Sequence, residues 1–309
     1  TIKLDGNYPV GTNNVALGDA AGSALSTGIK NTFLGSLAGD AITTGNNIVA
    51  VGYQALSYDQ QGSGSVAIGN QALTTQRFTS ATGAYNVAIG QQAGQEVTTG
   101  IKNVFIGGLS GDATTTAEEN TAVGYESMTT NTTGGDNSAS GAYSLRQNTT
   151  GSNNAAMGYS ALERNSTGGN NTAVGYKALE ANTTASSNTA VGYQAGYSTT
   201  VGYNNTLFGD RAGYSNVGNR GNTFLGQESG YSYNRAGSGD TFNTFVGYRA
   251  GYAQSTEGLY NTYVGLFSGN TITTGSKNTI LGGYNGNQGG LDIRTSSNNI
   301  VLSDGDGNP

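Results

Sequence analysis

One glycine, preceded by a short apolar run, recurs at Gly18, Gly35, Gly52, Gly69, Gly90, Gly107, Gly124, Gly141, Gly158, Gly175, Gly192, Gly209, Gly226, Gly247, Gly265 and Gly282. The step is 17 residues, apart from two steps of 21 and one of 18. Sixteen copies in 309 residues make this a repeat architecture. A unit of 17 is too short for a propeller blade and too short for a helix pair.

The positions around the glycine obey simple rules. The residue before it is aliphatic, Phe208 or Met157 in every copy except Ser140. Two before it stands mostly Ala, giving way to Leu207, Phe224, Phe245, Tyr263 and Ile280. Four before it stands Asn in 14 of 16 copies, Ile48 and Ser65 being the exceptions. Three after it stands Ala or Ser, save Asn285, and then Gly, Leu or Met. A complete copy reads Asn171-Thr172-Ala173-Val174-Gly175-Tyr176-Lys177-Ala178-Leu179 and runs into an Asn, Thr and Gly turn.

A β-branched or small stretch bounded by Asn and Gly reads as a short strand. Lys177-Ala178-Leu179 is expected to form a second one. Gly and Asn supply corners that need positive φ. The unit is then one coil of two short strands and two turns, stacked in parallel on the next, with each Asn above another in an amide ladder. At ~4.8 Å per coil, the stack should be roughly 75–80 Å long. Residues 1–10 read as a lead-in, 11–290 as the repeat domain, and 291–309 as a segment leading toward a further C-terminal region.

Along a strand, residues one and three before the glycine share a face, and those two and four before share the other. Both faces carry apolar groups, as in strands covered on both sides. We expect Val123, Val174, Val191, Leu225 and Val246 to form the structural core of the coil. The other face then needs a partner, which side-by-side copies supply. The expected fold is all-β, a parallel β-roll (β-solenoid) of about 16 coils in a homotrimeric rod.

Composition removes whole classes of function. With no Cys and no His, there is no usual zinc, haem or iron–sulfur site, no thiol nucleophile and no His-based triad. No cofactor and no metal are expected, and the redox compartment stays open. No apolar run approaches the roughly 18–20 residues of a membrane helix, so no membrane insertion is expected. A net charge of −6 with 13 Lys and Arg argues against nucleic acid. Polarity comes from Gly, Ser, Thr and Asn instead of charge, which suits a thin coil with small residues inside.

Asn13-Asn14-Val15-Ala16-Leu17-Gly18 and Tyr85-Asn86-Val87-Ala88-Ile89-Gly90 resemble the head repeat of trimeric autotransporter adhesins. That resemblance implies a left-handed parallel β-roll, three chains side by side. The family's repeat is shorter, so the turns must differ. Asn188-Thr189-Ala190-Val191-Gly192-Tyr193-Gln194-Ala195-Gly196 is more similar to repeats in tail-fibre and tail-spike proteins of marine bacteriophages. The end, from Ser297 to Pro309, is similar to the segment leading into the C-terminal region of such fibres. Both resemblances cover roughly residues 11–303 and imply a surface-recognition rod on a virion tail or a cell surface.

Three features are candidate sites. Tyr197, Tyr214, Tyr231 and Tyr252 stand five after the glycine, and Tyr53, Tyr125, Tyr159, Tyr176, Tyr193 and Tyr248 one after it. Stacked coils turn each set into a column, either a structural ladder or a row for sugar contact. The insertions, around Arg77-Phe78 and around Tyr231, Tyr233 and Arg235, mix Arg with aromatics as binding hot spots do. Asp304, Asp306 and Asn308 alternate as in a calcium loop, without the downstream Glu. Nothing selects a carboxylate pair for glycoside cleavage, Glu118-Glu119 included, so no catalytic residue and no enzyme is expected. The expected function is attachment of a phage tail fibre to a bacterial surface glycan or protein. The alternatives are a bacterial adhesin head, a monomeric ice- or lattice-binding solenoid, and a polysaccharide-degrading tail spike.

Overall fold

A computed structural model describes residues 12–234, 239–255 and 257–309. Among them every regular element is a β-strand. The chain forms two compact units, Thr1–Asn153 and Asn154–Pro309. In the first, eight three-residue strands stack from Val15–Leu17 to Ser138–Ser140. In the second, nine stack from Ala155–Met157 to Ile300–Leu302. The half-copy Asn299–Ser303 thus supplies a strand of its own, and the roll extends into the segment beyond residue 290.

Pairing is parallel, and equivalent repeat positions face each other. Thr172, Ala173 and Val174 pair with Thr189, Ala190 and Val191, and these with Thr206, Leu207 and Phe208. The register crosses the 21-residue step undisturbed: Val66, Ala67 and Ile68 pair with Val87, Ala88 and Ile89. Register is held because a slip would move the inward residues outward.

The second expected strand is a turn. Ala178 N–H donates to Gly175 O at 3.3 Å, and Asn182 N–H donates to Leu179 O at 3.0 Å. Lys177 and Leu179 have φ of 54° and 50°, in the left-handed region. Such alternation cannot pleat. It folds the chain through two tight turns and aims Leu179 inward, where burial offsets a strain of roughly 1–2 kcal/mol.

The inward face of the strand is also the opposite of the one expected. Ala122, Ala173, Ala190, Leu207, Phe224 and Phe245, two before the glycine, are 0% exposed. Val123, one before it, is 37% exposed, and Val174, Val191, Leu225 and Val246 are half-buried on the outer face. Hydrogen bonding makes the choice. The Asn four before the glycine shares parity with the inward residue, and its amide finds its partners inside the coil. Asn171 N–H and Nδ2 donate to Asn154 Oδ1 at 3.0 and 3.1 Å, and Nδ2 also donates to Ala185 O at 2.8 Å. Asn188 repeats the backbone bond onto Asn171 Oδ1 at 3.0 Å. A buried amide without these partners would cost several times one net hydrogen bond.

Each coil interior is filled from one wall or the other. Where the residue two before the glycine is large, the residue four after it is Gly in that coil and in the coil before. Phe33 lies between Gly22 and Gly39, and a Cβ on either would come within 2.6 Å of its ring. Leu207 lies against Gly196 and Gly213 in the same way. Where the wall carries Leu56, Leu73, Met128, Leu145, Leu162 or Leu179, the facing residue in that coil and the next is Ala. The interior volume per coil is thereby held near constant, as close packing demands.

Candidate functional site

Three surfaces carry chemistry. The first is the outer face of the strands. In the first unit it exposes Leu34, Ile68, Ile89, Ile106 and Val123, and in the second Met157, Phe208, Val264 and Leu281. Beside this apolar row in the second unit runs an unbroken row of seven in-register threonines from Thr172 to Thr279. No charged side chain stands in either row from Thr172 to Leu281.

The second surface is the corner after the glycine. Tyr197, Tyr214, Tyr231 and Tyr252 stack with centroids 5.2, 5.1 and 5.2 Å apart and planes within 8°. These rings are half-buried and turn their faces to one another. Burial pushes the Tyr231 hydroxyl above its usual range, and the flanking Tyr214 and Tyr252 act in the same direction. Glu228, 8% exposed, accepts from Arg249 Nε at 2.6 Å and lies 3.7 Å from Arg211 Nη1. The Arg249 guanidinium covers Tyr248 and Tyr252 at 5.2 and 5.1 Å. Tyr159, Tyr176 and Tyr193 form a more exposed column, with centroids 5.5 and 5.3 Å apart.

The third surface is made by the insertions, and here the structure revises the expected contact residues. Arg77 is exposed, but Phe78 is only 7% exposed. Its N–H donates to Asp59 Oδ1 at 2.9 Å, while Gln76 Nε2 donates to Asp59 Oδ2 at 2.7 Å. Desolvation pushes the Asp59 carboxyl above its usual range, against these donors. Tyr233 is 0% exposed, donates its hydroxyl to Gly258 O at 2.8 Å, and packs edge-on against Phe224 at 5.8 Å. Phe78 and Tyr233 are therefore plugs that root the insertions in the coil, because an added loop needs apolar burial to hold it. Arg235 lies outside the described residues.

What the insertions do expose is an aromatic five before the next glycine. Tyr85, Phe242 and Tyr260 are 62, 50 and 52% exposed. Tyr85 lies over Gly64 and Gly83, and Phe242 over Gly221; a Cβ there would meet the ring within 2.6 Å. Short parallel pairs seat both loops, Gly62–Ser63 with Thr82–Gly83 and Asn219–Arg220 with Gly239–Asp240. Arg220 sits 4.3 Å over Tyr203 and donates from Nη1 to its hydroxyl at 3.0 Å. Sequence reasoning overlooked these rings, although the signal was there. Aromatics occupy that position after all three irregular steps, and elsewhere it holds Asn, Lys, Glu, Asp, Ser or Gly.

The remaining candidates are structural. Asp304 Oδ1 accepts from the N–H groups of Asp306 and Asn308 at 3.0 and 2.8 Å, which is a turn. Glu119 accepts from Lys102 Nζ at 2.7 Å. Among the described residues no group of three acidic side chains could hold a metal ion, and no helix is long and apolar enough to cross a membrane.

Asp112 is a half-buried carboxyl raised to about 6 by desolvation, with Glu126 and Glu96 acting in the same direction against two backbone donors. Folding favours its protonated form. Its contribution is therefore most favourable below 3.8 and is lost as pH rises to about 6. Asp112→Asn is expected to melt close to the wild type in acid and above it beyond about pH 6. Melting curves on both sides of that window check this. A difference that does not change across it would refute the assignment.

No family model, no curated protein and no solved structure matches this chain.

Proposed function

We propose that this chain is the structural and receptor-recognition module of a fibrous surface protein. It is a phage tail-fibre shaft or head in which three copies stand side by side and attach to a bacterial surface glycan or protein. The observation that carries the reading is the outer strand face. Met157 and Phe208 are 59 and 57% exposed, and the row they belong to is apolar coil after coil. A soluble chain seldom leaves such a strip to water, and a second copy with the same period matches it coil for coil. The exposed rings Tyr85, Phe242 and Tyr260 are the receptor contacts in this reading, since loops that leave a regular scaffold carry recognition.

Native mass by light scattering tests it. The expected value is about three times 31.3 kDa. Val191→Asp places a carboxylate on the outer face, so it is expected to leave the coils folded and to split the assembly. A wild-type mass of one chain would overturn the lateral association. The in-register threonine row favours one second reading in that event, a solenoid that binds an ordered lattice such as ice. The bulky Phe208, Leu225 and Leu281 beside that row oppose a flat fit.

A further inference from the structure

We propose that Tyr159, Tyr176 and Tyr193 form an oxidative cross-linking site, where neighbouring phenols couple into dityrosine and tie successive coils together covalently. The inference is independent of what the protein binds. Three observations support it. The rings stack with centroids 5.5 and 5.3 Å apart and planes within 10°. Each follows a repeat glycine on strands whose register is Ala155 to Thr172 to Thr189, so the ring spacing is set by the backbone. The three are 45, 43 and 43% exposed, which admits an oxidant and lets the rings rock about their side-chain torsions. Exposure alone does not suffice. Tyr53 is 48% exposed, but its counterparts in the adjacent coils are Ser36 and Asn70.

The oxidant is a one-electron oxidant of the peroxidase class working with hydrogen peroxide. It removes one electron and one proton from each of two phenols. The two radicals join through a carbon–carbon bond between ring positions ortho to oxygen. The hydrogens on those carbons then move to the oxygens and restore both phenols. Two electrons and two protons leave the pair, and they reduce one hydrogen peroxide to two waters.

The folded full chain is treated with a peroxidase and hydrogen peroxide, denatured and digested with trypsin. Tyr159 and Tyr176 are the single tyrosines of the tryptic peptides 147–164 and 165–177, so a joined pair identifies their coupling. The expected products are this pair and 165–177 joined to 178–211, from a chain that still runs as a monomer on denaturing electrophoresis. Tyr176→Phe keeps the stacked ring and is expected to lose both links, because Tyr159 and Tyr193 then stand two coils apart. Tyr53→Phe is expected to lose neither. Absence of both joined peptides from the wild type, coupling chiefly between chains, or full dityrosine yield from Tyr176→Phe would each overturn the proposal. The wild-type peptide map decides it even if the variant folds poorly.

Discussion

Gly175→Ala is expected to destabilise the second unit by at least about 3 kcal/mol, the upper end for a single residue in a strained backbone region. Gly175 has a φ of 130°, which side chains rarely adopt, and its missing Cβ would overlap the Gly192 carbonyl, whose carbon is 2.7 Å from that point. Gly192 faces Gly209 in the same way, so the repeat glycines of this unit form a column of backbone contacts. The neighbour is main chain and cannot turn aside. Relief requires the Gly175 and Gly192 coils to separate, with loss of the Gly192 N–H bond to Val174 O at 2.8 Å and the ladder beside it. Repeat proteins yield locally, so hydrogen exchange is the sensitive readout. Amides of 172–192 should lose protection while those of the first unit keep theirs. Gly305→Ala is the control, with nothing within 4 Å of its Cβ position. Equal protection in the two variants would show that the glycine column tolerates a side chain.

That column explains how much of the fold was readable in the chain. The period, the strand after Asn and the turn at Gly are local rules, and each has one physical solution. A residue with φ near 130° against a neighbour's backbone must be Gly, so the repeat announces itself. The strand's inward face was not readable in this way. With Val174 and Ala173 both apolar, three residues contain no asymmetry. Only the pairing of Ala173 with Leu179 across the coil, and of Asn171 with Asn154 along it, marks the inside. Those are relations between positions, and reading positions one at a time misses them. Lys177 and Leu179 were misread for a related reason. Leu in the left-handed region violates propensity, and packing overrides it. At the insertions, Arg and aromatic composition did not distinguish rings that fill the interior from rings that face water. Phe78 and Tyr233 fill the interior, whereas Tyr85 and Phe242, each resting on a glycine, face water. Which ring faces water is legible only when the aromatic and the glycine one coil earlier are read together.

The relation between the two walls gives the second large effect. Phe33→Ala alone is expected to cost about 3–5 kcal/mol, as a buried ring is removed and a cavity left. Gly39→Leu alone is expected to cost about 1–3 kcal/mol or more, since the new Cβ would lie 2.5 Å from Phe33 Cδ1. Together they recreate, on the Gly39 side, an arrangement already present one coil later, where Leu56 with φ of 53° packs beside Ala50 and Ala67, while the space beside Gly22 that Phe33 also fills stays open. In the double variant the leucine introduced at position 39 would stand between the alanine introduced at position 33 and the native Ala50 in the same way. The backbone there already has φ of 56° at Gly39. The double variant is therefore expected to be more stable than Phe33→Ala, with a coupling of at least about 2 kcal/mol in the double-mutant cycle, measured by denaturant unfolding. Additive losses would mean that the two walls relax separately and that the strict pairing of large with Gly and small with Leu is not a packing rule. Recovery would show that coils of either type can be written anywhere in the stack, provided each interior is filled once.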